Sequence, residues 1–359
     1  MRDEGFTGIF WEDLYGYMDR RTTLAPDSIL LTFDDGYLDN WVYAFPILKK
    51  YGMKGTVFVN PDFVDPGTEV RPTLEDVWAG RCRMEELDGV GFLNWAELRA
   101  MEASGLIDVQ SHALTHTWYF SGPRIVDFHT PQRLTPYPWL AWNARPERKP
   151  FYMKEDQQHF VPWGYPVFEH GKSLVVRRFI PDGECVARIT DYVAEQGGTS
   201  FFRDASWQET IRTRLSDWGL ADTFPGYYET DEQRLERIRQ ELSLSKSIIE
   251  TNLDKRVDYL CWPGGGNDET TRRLAIEVGY KAWTLGSKDR VPKRNLPGED
   301  PVSIKRMPTT NVVMWRGHEI GQGGARHQML CIAAHQKSFF SWILLGLYKL
   351  AVITGKTGR

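Results

Sequence analysis

An α/β fold built on a parallel sheet or barrel, interrupted by one long insertion, is what this sequence predicts. Three observations lead there. Short β-branched runs alternate with helical patterns over the first hundred residues, and the alternation returns after residue 231. Between the two lies a proline- and aromatic-rich stretch in which it breaks down. A chain of 359 residues supports one large domain or two modest ones.

The elements follow in order. Ser28-Ile-Leu-Leu-Thr-Phe33 is an apolar run stopped by Asp34-Asp-Gly36, which predicts a buried strand with a polar loop at its carboxyl end. Tyr43 to Tyr51 has helical spacing, with Gly52 placed to cap it, and Gly55 to Val59 is a second strand. Asn94 to Ser104 reads as a helix with Asn94 as N-cap and Gly105 as its stop, and Ile107 to Gln110 as a third strand. Within the stretch from Trp118 to Tyr228, eight prolines between Pro123 and Pro166 lie among Trp139, Trp142 and Trp163. That composition predicts an ordered but irregular excursion over one mouth of the sheet, not a run of βα units. Regularity resumes with a helix at Asp231–Thr251, a strand at Val257–Trp262, the turn Pro263-Gly-Gly-Gly266, a helix to Gly279 and a strand at Lys281–Leu285.

Composition excludes several function classes. Apolar residues are 41 % and charged residues 26 %, an ordinary folded profile, and a net charge of −4 argues against nucleic acid as partner. Fourteen Trp and fifteen Tyr suit the flat faces of sugar rings, and equally any groove or interface. Cys82, Cys185, Cys261 and Cys331 are scattered without a C-x-x-C pair, which points to buried thiols and a reducing compartment. The N-terminus lacks a signal-peptide core, so a cytoplasmic location is expected, with secretion open if translation starts upstream. Phe339 to Ile353 is strongly apolar but shorter than the roughly 20 residues a spanning helix needs. Core packing is its default reading, and peripheral membrane contact, helped by the basic end at Lys356 and Arg359, is the alternative.

Asp34 and Asp35 follow a strand directly, where parallel α/β folds collect their active sites. Alone, an Asp-Asp-Gly could be only an Asx turn. Ser111-His-Ala-Leu-Thr-His116 changes the reading: His112 and His116 stand four apart at the end of another strand, and on a helical turn they would share a face. Two histidines and one carboxylate make three ligands with a position left open, the arrangement of a catalytic zinc-type site.

The segments Leu31-Thr-Phe-Asp-Asp-Gly-Tyr37 and Pro46 to Val59, with Ser111 to His116 and Leu260-Cys-Trp-Pro-Gly-Gly-Gly266, resemble the successive motifs of NodB-type polysaccharide deacetylases, carbohydrate esterase family 4. The resemblance implies a distorted (β/α) barrel of about seven strands. It divides the chain into barrel segments at 1–117 and 229–315, the insertion at 118–228 and an apolar helical tail at 316–359. It implies that Asp35, His112 and His116 hold one divalent metal, zinc first and cobalt, nickel or manganese otherwise, with Asp34 as general base. Trp262, Pro263 and Gly264 would meet the substrate, the Gly264 N–H donating to the oxyanion. The family's base-orienting arginine is missing from Tyr259-Leu-Cys-Trp262, leaving Arg306 as a substitute, and no Leu-x-His supplies a general acid, leaving His129, His170 and His318 as candidates.

The implied activity is removal of an acetyl or formyl group from an amino sugar in polysaccharide or glycolipid synthesis, an exopolysaccharide or a lipid-linked sugar being the substrate. An O-acetyl carbohydrate esterase and a catalytically dead carbohydrate-binding protein are the alternatives. Intact Asp34, Asp35, His112 and His116 argue against the dead one. Trp139, Trp142, Trp163 and Tyr165 are expected to line a sugar groove.

Overall fold

The computed structural model describes residues 5–132, 135–285, 293–307, 312–315, 318–335 and 339–353. The chain divides into two compact units, one of residues 1–29 with 282–359 and one of residues 30–281. In chain order the elements begin with β1 (Thr7–Gly8), α1 (Trp11–Met18), β2 (Ser28–Ile29), β3 (Thr32–Phe33), α2 (Phe45–Tyr51), β4 (Gly55–Val59), α3 (Leu74–Trp78), α4 (Trp95–Ala103) and β5 (Ile107–Ser111). Next come β6 (Trp118–Phe128), α5 (Pro138–Ala144), β7 (Pro166–Lys172), β8 (Phe179–Pro181), α6 (Gly183–Glu195), α7 (Trp207–Asp217) and β9 (Gly226–Tyr228). The rest are α8 (Asp231–Leu253), β10 (Tyr259–Leu260), α9 (Glu269–Val278), β11 (Ala282–Thr284), β12 (Ser303–Ile304), β13 (Val312–Trp315), β14 (His318–Gln322), α10 (Ala325–His335) and α11 (Phe339–Ile353).

In the larger unit β3, β4, β5 and β10 form a parallel ladder, with Thr32 opposite Thr56, Gly55 through Val59 opposite Ile107 through Ser111, and Leu260 opposite Ser111. All five residues of β4 are buried, because a parallel strand covered on both faces has no solvent side and needs no alternation. The flanking helices start and stop where side-chain chemistry requires. Asn94 caps α4 by accepting from Glu97 N at 2.9 Å, while Glu97 accepts from Asn94 N at 3.0 Å. Gly52 ends α2 in the left-handed conformation at φ 60°, which a Cβ would disfavour.

The run Ser28–Phe33, expected as one buried strand, splits in two and is half-buried throughout. Its first half, β2, pairs in parallel with β1 in the smaller unit, and its second half, β3, joins the larger unit's ladder. The smaller unit also holds the parallel pair β11–β12, the antiparallel pair β13–β14 and the terminal helices. There α11 leaves Trp342, Ile343, Leu344, Leu347 and Leu350 exposed. No described helix is long and apolar enough to cross a membrane, and the basic residues Lys356 and Arg359 lie outside the described residues.

Residues 118–228 pair antiparallel, unlike the parallel ladder of β3, β4, β5 and β10. β6 pairs with β7 from Trp118 opposite Lys172 to Phe128 opposite Pro166, with two register shifts on the way, and β8 pairs with β9. Their aromatic residues make one core, in which Phe168 and Phe224 approach to 4.8 Å and Phe120 and Trp139 to 5.4 Å. Trp139 and Trp142 belong to that core, 4 % and 7 % exposed, so the expected sugar groove of four rings is not formed by them. Trp163 and Tyr165 are half-buried against the same cluster. The rings and the aliphatic side chains among them make a small hydrophobic core, which ordered surface segments need in order to hold a shape.

Glu229 ties this segment to α8. Its carboxylate accepts from Arg178 N at 2.8 Å and from Arg237 Nη2 at 2.6 Å, and Arg237 donates onward to the carbonyl of Ser173 at 2.6 Å. Burial pushes the Glu229 carboxyl up, but the Arg237 guanidinium and the Arg178 N–H outweigh it and hold it below the ordinary range. Such a group adds stability above the unfolded carboxyl's pKa, and the contribution fades as pH falls toward the folded value. Glu229→Gln should therefore cost about 2–3 kcal/mol at pH 7 by leaving a half-buried guanidinium without its counter-charge. The gap in denaturant midpoint between variant and parent should narrow as the pH is lowered below about 4. A gap independent of pH would contradict the charge argument.

Candidate active site

Four strand ends deliver the site. Asp34 follows β3, Asn60 follows β4, His112 follows β5 and Cys261 follows β10, so the carboxyl edge of the parallel ladder carries the centre of the site. His112 Nε2 lies 3.2 Å from Asp35 Oδ1, and His116 Nε2 lies 3.4 Å from the same oxygen. The two rings tilt toward each other with centroids 5.2 Å apart. Asp34 offers a carboxylate oxygen within 4.8 Å of a His112 ring nitrogen, as does the Cys261 thiol.

The histidines do not meet on a helical turn, as their spacing suggested. Residues 112–117 are irregular, and the rings converge because the backbone takes unusual conformations. Among the described residues five non-glycines have positive φ, and three of them are Asp35 at 68°, Ala113 at 58° and His116 at 42°. Each costs on the order of 1–3 kcal/mol and persists only where its surroundings hold it. The holding groups are explicit. Asn60 Nδ2 donates to the carbonyls of His112 and Ala113, and Ala113 N donates to Ser111 Oγ at 3.1 Å. Ser111 Oγ is in turn bonded to Ser245 Oγ at 2.8 Å and Tyr280 Oη at 2.9 Å.

The ring nitrogens have distinct tasks. His112 Nδ1 is 2.7 Å from the Cys261 carbonyl, so it carries the proton and donates, turning Nε2 toward Asp35. Burial disfavours a charged His112, but its contacts with Cys261 together with Asp35 and Asp34 outweigh that and hold its pKa well above the usual value. His116 is pushed down to about 4 by burial and by repulsion from His112, so at neutral pH its Nε2 lone pair is available. Burial raises the Asp35 carboxyl, yet the hydrogen bond from His112 and the charge of both rings prevail and lower it. Tyr37, stacked on Phe92 at 5.3 Å, directs its hydroxyl to Asp35. The set favours a positive charge at its centre.

These residues fit a divalent cation. Tetrahedral coordination with nitrogen and oxygen ligands at 2.0–2.2 Å separates the ligand atoms by about 3.3 Å along each edge. The two nitrogen–oxygen separations measured at Asp35 Oδ1 match that edge. The alternative trio of Asp34, His112 and Cys261 shares His112, whose Nδ1 is committed to a carbonyl, and lacks the second imidazole.

The other expected residues fare unevenly. Trp262 is fully buried, so its ring packs in the core and does not face a substrate. Pro263 lines a small pocket with His116, Trp118, Lys172 and Gly266. Gly264 is exposed at φ 54°, and its carbonyl accepts from Lys172 Nζ, whose side chain lies so close across the turn that a Cβ on Gly266 would overlap it. His129 stacks on Trp163 at 4.7 Å and bonds to the Gln158 carbonyl, just past the end of β6 opposite to Trp118. His170 bonds to the Phe168 carbonyl and packs against Tyr137 and Trp139. Both rings thus belong to the aromatic segment. The side chain of His318 lies outside the described residues, and Arg306 is part of the smaller unit. Sequence reasoning missed Asn60, Cys261, Lys149 and Glu241; only Asn60, placed right after a strand end, carried any signal.

Comparison with known proteins agrees with the fold and the motifs. Residues 21–145 match the family model for polysaccharide deacetylases. YxkH, a Bacillus subtilis (strain 168) protein that bears a polysaccharide deacetylase name, is 64 % identical over 59 residues, 16 % of this chain and 21 % of that one. The match thus spans about a fifth of that relative's length. The deacetylase domain of BpsB from Bordetella bronchiseptica is similar in structure, with a TM-score of 0.50 and 21 % identity over 85 % of this chain and 80 % of that one. A de-N-acetylase from Aggregatibacter actinomycetemcomitans gives a TM-score of 0.47 and 16 % identity over 85 % and 79 %. The likeness to the BpsB domain establishes the α/β fold class, and the segment that matches the polysaccharide deacetylase model, residues 21–145, contains Asp34, Asp35, His112 and His116.

Proposed function

We propose that this protein is a cation-dependent hydrolase that removes an acetyl or formyl group from the nitrogen of an amino sugar in a polysaccharide or glycolipid. The observation that carries the reading is the convergence of His112 Nε2 and His116 Nε2 on Asp35 Oδ1 at 3.2 and 3.4 Å, beside a second carboxylate at Asp34. In this reading Asp35, His112 and His116 hold one divalent ion, zinc or otherwise cobalt, nickel or manganese. Bound there, such an ion polarises the acyl carbonyl and makes water acidic enough to attack near neutral pH.

The chain's own groups do the rest. Asp34 takes the proton of the attacking water and passes it to the departing amine. The Cys261 carbonyl keeps His112 in the tautomer that presents Nε2. The backbone N–H of Gly264 donates to the developing oxyanion. Trp118, whose ring is 5.6 Å from His116, offers a flat face to a sugar ring. Residues 118–228 cover the active-site face, a role supported by Trp118, Lys149 and Lys172, which reach strand-end residues from that segment.

Metal content of the purified chain, paired with acetate and formate release from N-acylated sugar oligomers, tests this. About one divalent ion per chain, release that a chelator stops, and recovery on adding metal are expected. Release that survives chelation with the ion gone would overturn the reading. Cleavage of O-acetyl but not N-acyl substrates would favour the esterase.

A further inference from the structure

We propose that Glu241 and Lys149 are positioning residues for His116, a buried two-armed clamp on Thr115 that fixes the peptide leading into the ring and so shapes the cation site. The inference rests on the reading that Asp35, His112 and His116 hold a divalent ion.

Glu241 lies on α8 and is buried, and its Oε1 accepts from Thr115 N at 2.7 Å and from Thr115 Oγ1 at 2.8 Å. From the aromatic segment, Lys149 donates through Nζ to the Thr115 carbonyl at 3.0 Å and to Asp62 Oδ2 at 2.8 Å. Lys149 is 2 % exposed. Burying both a lysine and a glutamate is costly, and a methionine and a leucine would fill the same space without that desolvation. Both charged groups converge on one residue, and that residue precedes His116.

The geometry explains the choice. The Thr115 carbonyl belongs to the peptide unit that ends at His116 N, and φ of His116 is the rotation that starts from that plane. With the Leu114–Thr115 peptide held through Thr115 N–H by one arm and the Thr115–His116 peptide held through its carbonyl by the other, neither plane can flip. His116 therefore stays at φ 42°, a conformation that a residue with a side chain leaves unless restrained. Released, the backbone relaxes to negative φ and carries Nε2 away from Asp35 Oδ1. The neutral hydrogen-bonding part of the clamp is what matters, since burial raises the Glu241 carboxyl and an uncharged acceptor oxygen serves as well.

The test uses the full chain stripped of metal and titrated with Co2+, reading the visible absorption bands and the affinity against a competing chelator. Glu241→Gln, which keeps an acceptor oxygen, should bind within about threefold of the parent, whereas Glu241→Leu should lose about 10–100-fold with altered bands, the range for removing an outer-shell partner. Thr115→Val, which deletes only the hydroxyl arm, should lose about three- to tenfold by the same logic and stands in should Glu241→Leu not fold. Lys149→Met should weaken binding in the same direction. Parent affinity and bands in a folded Glu241→Leu, or in Thr115→Val if that variant does not fold, would overturn the clamp and leave the cation site standing. Equal losses in the glutamine and leucine variants would replace positioning by charge and also overturn it. A parent chain that binds no cobalt would overturn the cation site itself, and the clamp with it.

Discussion

His112→Ala is expected to lower cation affinity by more than the about 10–100-fold that loss of an outer-shell partner costs, because it deletes a direct ligand. Acyl release should fall below detection at ordinary metal concentrations. Two features make this the largest effect. The ring is fixed from behind by the Cys261 carbonyl at 2.7 Å, which holds Nε2 toward the site, and alanine supplies neither nitrogen. It also shares Asp35 Oδ1 with His116, so its loss leaves a carboxylate and one imidazole, too few for a site that holds an ion with a position left over. Equilibrium dialysis and release assays on the same preparation check both halves. Turnover retained at the parent's rate would remove His112 from the site.

Asp34→Asn should separate binding from chemistry. The change keeps size and polarity while removing the base, so the metal stoichiometry should remain that of the parent. Turnover should fall by about 10²–10⁴, the usual contribution of a positioned general base. Loss of metal in this variant would instead make Asp34 a ligand, for which the cluster of Asp34, His112 and Cys261 provides a geometry. Unchanged rates would assign the base elsewhere.

The parallel ladder and its polar edge were legible in the sequence because burial on both sides writes a continuous apolar run. Gly55–Val59 was found on that ground and is buried at every position. Helix ends were legible through their caps at Asn94 and Gly52, which act locally. The candidate ligands were legible as residue types at strand ends, but the way they meet was not. A four-residue spacing suggests a helical turn, whereas the rings converge through left-handed residues at 113 and 116. Spacing cannot report a conformation that only distant groups enforce, and the enforcing groups here are Asn60, Lys149 and Glu241, up to 126 positions away. The aromatic insertion misled for a related reason. Tryptophan serves a sugar-binding surface and a small core equally well, and Trp139 and Trp142 turned out to be core.

The order in which the site's parts occur along the chain has a consequence for its biosynthesis. The carboxylates and both imidazoles are translated by residue 116, yet Glu241, Ser245 and Cys261, which hold that loop and orient His112, emerge from the ribosome more than a hundred residues later. At roughly 5–20 residues per second that interval lasts on the order of 10 s. During it the ligands exist without the scaffold that strains them into place. On the proposed reading, metal acquisition would therefore wait for the docking of α8 and β10 and not for the synthesis of the ligands themselves.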